Sequence, residues 1–184
     1  MGVSSRGIDE FDFSFQSHLD KQLVTPLFDL KFIRKHGNII LLGPPGVGET
    51  HLAVSLAIRA CQAGLSIYFT NIEDLIAKLK RDYEAGRPGK GRIYHKSALV
   101  VVDEIGYTPI DREECNFFFR FIANRYEKTS TIIRSNKAVD DWAELFHDPI
   151  IVTTILDRLL HLSVVVNIKG QSSILREKFG REVY

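Results

Sequence analysis

With 184 residues, of which 45% are hydrophobic and 26% charged, the chain has the size and balance of one globular domain, which excludes a disordered or fibrous protein. No apolar run reaches the ~18 residues of a membrane span and the start MGVSSRGIDEFDF lacks the basic-then-apolar order of a signal peptide, so a cytoplasmic location with no membrane partner is expected. The net charge of +1 is silent about nucleic acid, and any basic surface has to be local.

In chain order, residues 1–36 read as a lead-in, acidic and aromatic at first (Asp9, Glu10, Phe11, Asp12, Phe13, Phe15) and then helix-compatible through Leu23, Leu27, Phe28 and Leu30. From residue 37 to 184 short β-type runs alternate with longer helical ones, the pattern of a parallel sheet with helices on both faces. Strands are predicted at 38–42, 66–70, 98–102 and 131–135, with a weaker one at 164–168. Helices are predicted at 50–63, closed by Gly64 as a left-handed cap, at 72–83 with Asp74 in the first turn, and at 112–126 with Asp111 as N-cap. Cys61 and Cys115 lie in helical stretches with no neighbour at metal-ligand spacing, and both read as reduced thiols in or near the core.

Between the first strand and the first helix runs Gly43-Pro44-Pro45-Gly46-Val47-Gly48-Glu49-Thr50-His51, which has the form of a phosphate-binding loop except that its lysine is replaced by Glu49. Glycines let backbone N–H groups turn toward phosphate oxygens, and the helix N-terminus adds partial positive charge. Thr50 is placed to hold magnesium. The third strand ends Val100-Val101-Val102-Asp103-Glu104, delivering two carboxylates to the edge where such a loop would lie. Asp103 suits the metal and Glu104 suits polarising a water for attack on the γ-phosphate. The whole describes an α/β, three-layer α-β-α nucleoside-triphosphatase fold that would hold a nucleoside triphosphate with Mg2+.

Asn136, after the fourth strand, fits either a γ-phosphate sensor or a turn residue. Lys78, Lys80, Arg81, Arg87, Lys90, Arg92 and Lys96 stand against only Asp82 and Glu84, a local excess of +5. With Tyr83 and Tyr94 on either side of a glycine-rich turn, that composition suits either DNA-backbone contact or a solvated loop.

On these residues the chain resembles the IstB/DnaC group of AAA+ ATPases, and most closely the IstB-like helpers of insertion-sequence transposition. The resemblance runs from about Phe11 onward through FDFSFQ, LLGPPGVG-THLA, YFTNIEDLIAKLK, VVVDEIGY, SNK and ILDRLLH. It implies an AAA+ core preceded by the remnant of a longer N-terminal region, ATP-dependent assembly of like subunits along DNA, and assistance to a transposase. It also implies Thr50 and Asp103 at the magnesium, Glu104 as catalytic glutamate and Asn136 as sensor. Arg158 matches an arginine that enters a neighbouring subunit's site, and Arg176 a second sensor. Two other readings stand beside this one: a nucleotide-independent scaffold for DNA or a partner, and a DnaC-like helicase loader.

Two residues depart from the family pattern. Glu49 replaces an ammonium with a carboxylate beside the phosphates. At about 4 Å and an effective dielectric near 20, each such charge pair is worth about 4 kcal/mol, so ATP binding and hydrolysis are expected to weaken. Arg134 stands where the family carries a small hydroxyl residue, on the same strand face as Asn136. A charge-restoring role for Arg134 near the phosphates is conceivable, but the expectation is that it does not rescue catalysis.

Overall fold

A computed structural model describes residues 20–44, 49–87, 92–146 and 148–168. Five parallel strands, β1 (Asn38–Leu42), β2 (Ile67–Asn71), β3 (Leu99–Ile105), β4 (Ser130–Ser135) and β5 (Ser163–Asn167), form one sheet in the order β2-β3-β4-β1-β5. β4 and β1, inserted between strands that precede or follow them in the chain, are central and carry nearly unbroken burial.

The helices are α1 (Lys21–Val24), α2 (Lys31–Arg34), α3 (Glu49–Gln62), α4 (Ile72–Glu84), α5 (Ile93–Lys96), α6 (Arg112–Arg125), α7 (Trp142–Leu145) and α8 (Pro149–Leu160). Period-two alternation divides them between the faces. Ile40, Val100, Val102 and Ile133 pack with α4, α6 and α8 through Leu75, Leu79, Phe118, Phe121, Val152 and Ile155. Ile39, Leu41, Val101 and Ile132 face the other way, against Leu52, Leu56 and Ala60 of α3 and against Val24, Leu27, Phe28 and Ile33 of the lead-in. The three-layer architecture expected from the alternation of runs is the one found.

Local sequence accounts for the helix ends. Asn71 accepts from the Asp74 N–H at 2.7 Å to start α4, and Asp111 and Glu114 form a reciprocal capping box at the start of α6, at 2.8 and 3.0 Å. Gly64 takes φ +80 just past α3, the left-handed conformation expected of it. One expectation is corrected. Cys115 is buried on α6, but Cys61 is exposed, because the apolar stripe of α3 runs through Leu52, Leu56 and Ala60 and leaves Cys61 outside it.

Arg125, at the end of α6, ties the lower end of the sheet together. Its guanidinium is 2% exposed and donates to the carbonyls of Tyr94 (3.0 Å), Ser97 (3.2 Å) and Ser130 (2.5 Å) and to Thr131 Oγ1 (3.2 Å). It thereby joins α6, α5 and the first residues of β4.

Candidate functional site

The candidate site lies at the C-terminal ends of β1, β3 and β4, where parallel α/β sheets place their ligands. The Gly43 N–H donates to the Ser135 carbonyl at 3.3 Å, which fastens the start of the glycine loop to the end of β4. Thr50 and His51 stand in the first turn of α3, both on its exposed side. Pro45, Gly46, Val47, Gly48, the Glu49 side chain, Lys90 and Arg176 lie outside the described residues.

β3 and β4 fall out of step at the site. Val102 pairs with Ile133 and Ile105 with Ser135, so Asp103 and Glu104 together oppose the single residue Arg134. This bulge keeps Ile105 on the same core face as Val102 and turns the two acids apart. Asp103 is 7% exposed, while Glu104 faces solvent from a left-handed backbone, φ 64, a conformation costing of order 1–3 kcal/mol in a residue other than glycine. Strained backbone of this kind concentrates at functional positions.

The buried acid is already occupied. Arg134, itself 8% exposed, donates from Nε to Asp103 Oδ1, and the same oxygen accepts the Glu104 N–H at 2.6 Å. The Arg134 guanidinium also lies 6.0 Å from the centre of the Tyr107 ring. Asp103 was expected to hold magnesium with Thr50; here a permanent cation sits against its Oδ1.

Asn136 fits a ligand-sensing position better. Its Oδ1 is buried and has no hydrogen-bond partner, so it is an acceptor waiting for a donor. Gly106, at φ +104, is what lets it sit there, since a Cβ on Gly106 would come 2.3 Å from Asn136 Oδ1 and 2.7 Å from Lys137 Cγ. Gly106 and Tyr107 were not singled out from sequence; the only signal was a glycine directly following the acid-ending strand.

Arg158 is not drawn to this site within one chain. From α8 it lies 4.7 Å over the Phe119 ring of α6, with Nη1 buried and lacking a hydrogen-bond partner. The basic stretch is divided too. Lys78 donates to the Tyr68 hydroxyl at 2.8 Å, and with Arg81 and Arg92 it borders a cavity of about 370 Å³ floored by Asp82. Lys80 turns toward Glu113 of α6 at 3.1 Å, Lys96 lies beside Lys128 and Arg34 at the opposite end of the sheet, and Arg87 is exposed after α4. Tyr94 is not available for base stacking: it is 3% exposed and its hydroxyl donates to the buried Asp82, which Arg92 also binds. Burial, then the Asp82 contact, pushes the Tyr94 hydroxyl well above the ordinary phenol range. Tyr83 is 51% exposed, but its ring is engaged, with the Arg120 guanidinium 5.4 Å over it and the Phe117 ring 5.6 Å away edge-on.

The model of the IstB-like ATP binding protein family matches residues 3–180. The chain is 45% identical over 172 residues to the putative ATP-binding protein of insertion sequence IS21 from Pseudomonas aeruginosa, covering 93% of this chain and 65% of that protein. It is 44% identical over 176 residues to the corresponding IS232 protein of Bacillus thuringiensis subsp. berliner, covering 95% and 70%. The chain thus spans about two thirds of the length of these relatives. A crystal structure of the DnaC helicase loader superposes with a TM-score of 0.65 over 90% of this chain and 100% of that one, at 23% identity, a likeness of fold. Among the described residues, no helix is long and apolar enough to cross a membrane.

Proposed function

This chain belongs to the family of IstB-like ATP-binding proteins, and from that premise we propose that it is an ATP-binding helper of insertion-sequence transposition, assembling with copies of itself on DNA and assisting a transposase. The observation that carries the nucleotide part is the convergence of the glycine loop's anchor, the start of α3, the Glu104 bulge and the unsatisfied Asn136 Oδ1 on one end of the sheet. In this reading residues 43–48 and the N-terminus of α3 hold the phosphates of ATP, Asn136 donates from its amide Nδ2 to the terminal phosphate while its orphaned Oδ1 accepts from the attacking water, and Glu104 polarises that water. Arg158 acts on the site of a neighbouring copy, through the part of its half-buried guanidinium that lies clear of the Phe119 ring. Residues 1–36 form a lead-in and 37–184 the ATPase core.

For DNA, the supporting features are the cluster of Lys78, Arg81 and Arg92 with Arg87 beyond it, a surface that suits backbone phosphates rather than base edges. Arg92 belongs to this cluster while paired with Asp82, whereas Lys80 turns to Glu113 of α6.

Calorimetry of ATP binding, on the chain as it stands and on Glu49→Lys, with and without DNA, tests the reading. Binding that appears or strengthens at least about tenfold on restoring lysine marks a nucleotide site weakened by one charge reversal. Absence of ATP binding in both proteins, with DNA binding retained, would instead establish a nucleotide-independent scaffold, the second reading that Glu49 itself favours. In the lysine-restored protein, Arg158→Ala should slow hydrolysis by assembled copies while leaving ATP affinity unchanged; unchanged turnover would remove Arg158 from the mechanism.

A further inference from the structure

The ion pair between Arg134 and Asp103 sits on the face of β3 and β4 that carries Val101 and Ile132, the face covered by α3, at the strand ends to which the glycine loop is anchored. We infer that Arg134 takes the place of the divalent cation in this site, so that nucleotide binding here does not respond to magnesium and restoring lysine at position 49 does not by itself bring that response back. The inference rests on the reading of the strand ends as a nucleotide site.

Four observations carry it. Asp103 Oδ1 is doubly engaged, by Arg134 Nε and by the Glu104 N–H at 2.6 Å. Arg134 remains charged at any pH the protein survives, so the pair cannot be opened by losing its proton. Both side chains are nine-tenths buried, and a magnesium ion recruiting Asp103 would leave the guanidinium buried beside a second cation. Finally, the bulge sends Glu104 outward, so it does not join Asp103 in a carboxylate pair facing inward. Magnesium surrenders its water reluctantly and is commonly held through one or two carboxylates plus substrate phosphates. With Asp103 neutralised, Thr50 is left as the one protein group of the expected pair to hold the metal.

The fixed cation does what a metal would do electrostatically, balancing negative charge at the strand ends, but it cannot exchange or bridge phosphate oxygens as a metal does. Tyr107, with its ring centre 6.0 Å from the guanidinium, packs over this cation and helps hold it in place.

The test compares Glu49→Lys with the double variant E49K/R134S, each titrated with ATP in EDTA and in magnesium, and with Mn2+ followed by electron paramagnetic resonance as a readout independent of turnover. Glu49→Lys should bind ATP with the same affinity, within about twofold, in both buffers, and the double variant should gain about tenfold or more when magnesium is present and should immobilise Mn2+ with the nucleotide. The substitution R134Q, which keeps a donor for Asp103 but no charge, should give the same gain and serves if the serine variant does not fold. A tenfold magnesium gain in Glu49→Lys alone, or no gain in either double variant, would overturn the inference. If none of these proteins binds ATP in either buffer, the nucleotide-site reading fails and takes the inference with it.

Discussion

Two arginines are buried at the two ends of β4, and they are held by opposite means. Arg125, below, has no carboxylate partner among the described residues; three backbone carbonyls and one threonine hydroxyl share its charge, and burial brings its pKa down to about 10. Arg134, above, is paired with a side-chain carboxylate. Backbone carbonyls of packed elements cannot withdraw without unfolding, so the lower arginine is a permanent part of the frame. The upper pair is made by two side chains, which can be changed without withdrawing any backbone group, so it belongs to the site rather than to the frame.

The contrast predicts unequal losses. Arg125→Met removes four donated hydrogen bonds and strands buried carbonyls, and should cost about 4 kcal/mol or more, read as a lowered urea midpoint with secondary structure intact below it. Arg134→Ser should cost less, about 2 kcal/mol, because Asp103 lies at a strand end where water can reach it once the guanidinium is gone. An equal loss in the two variants would break the distinction between frame and site. Gly106→Ala belongs to the upper end: its methyl group would displace Asn136 and strain a positive-φ position, for about 1–2 kcal/mol, and in the lysine-restored protein it should weaken ATP binding more than it weakens the fold.

The smallest effect belongs to the lower end. His95 lies 5.8 Å from the Phe121 ring, and burial, reinforced by the nearby Arg125 charge, lowers its pKa below 6.5. A base whose folded pKa is depressed favours the native state when neutral, so its contribution is present above pH 6.5 and is lost as pH falls through the folded value. His95→Phe should therefore flatten the stability curve below about pH 6.5, and an unchanged acid limb would show that His95 does not titrate there.

Most of the scaffold was legible because it follows from local pattern. The apolar runs at 38–42 and 131–135 became β1 and β4 with at most one residue of difference, and Asp111 capped α6 as its spacing to Glu114 required. The amphipathic stretch around Arg158 became α8, begun by Asp148 accepting from the Ile151 N–H at 3.1 Å with Pro149 in the first turn. The upper site was only half legible. Leu99 to Val102 reads as a strand ending at its first acid, and nothing local announces that β3 continues through a bulge to Ile105. The Arg134–Asp103 pair joins positions 31 apart in sequence, and neither residue signals the other by type or spacing. The basic stretch looked like one surface because sequence lists charges along a line, whereas the helical turn of α4 sends Lys78 and Lys80 toward different neighbours.

The outward position of Cys61 has a practical consequence. It stands on the last turn of α3, the helix whose opposite end meets the glycine loop, while the other thiol, Cys115, is enclosed on α6 with its pKa pushed up to about 11 by burial. A maleimide fluorophore will therefore attach at Cys61 without any engineered cysteine, giving the unmodified sequence a built-in optical reporter on the one helix that joins the loop to the core.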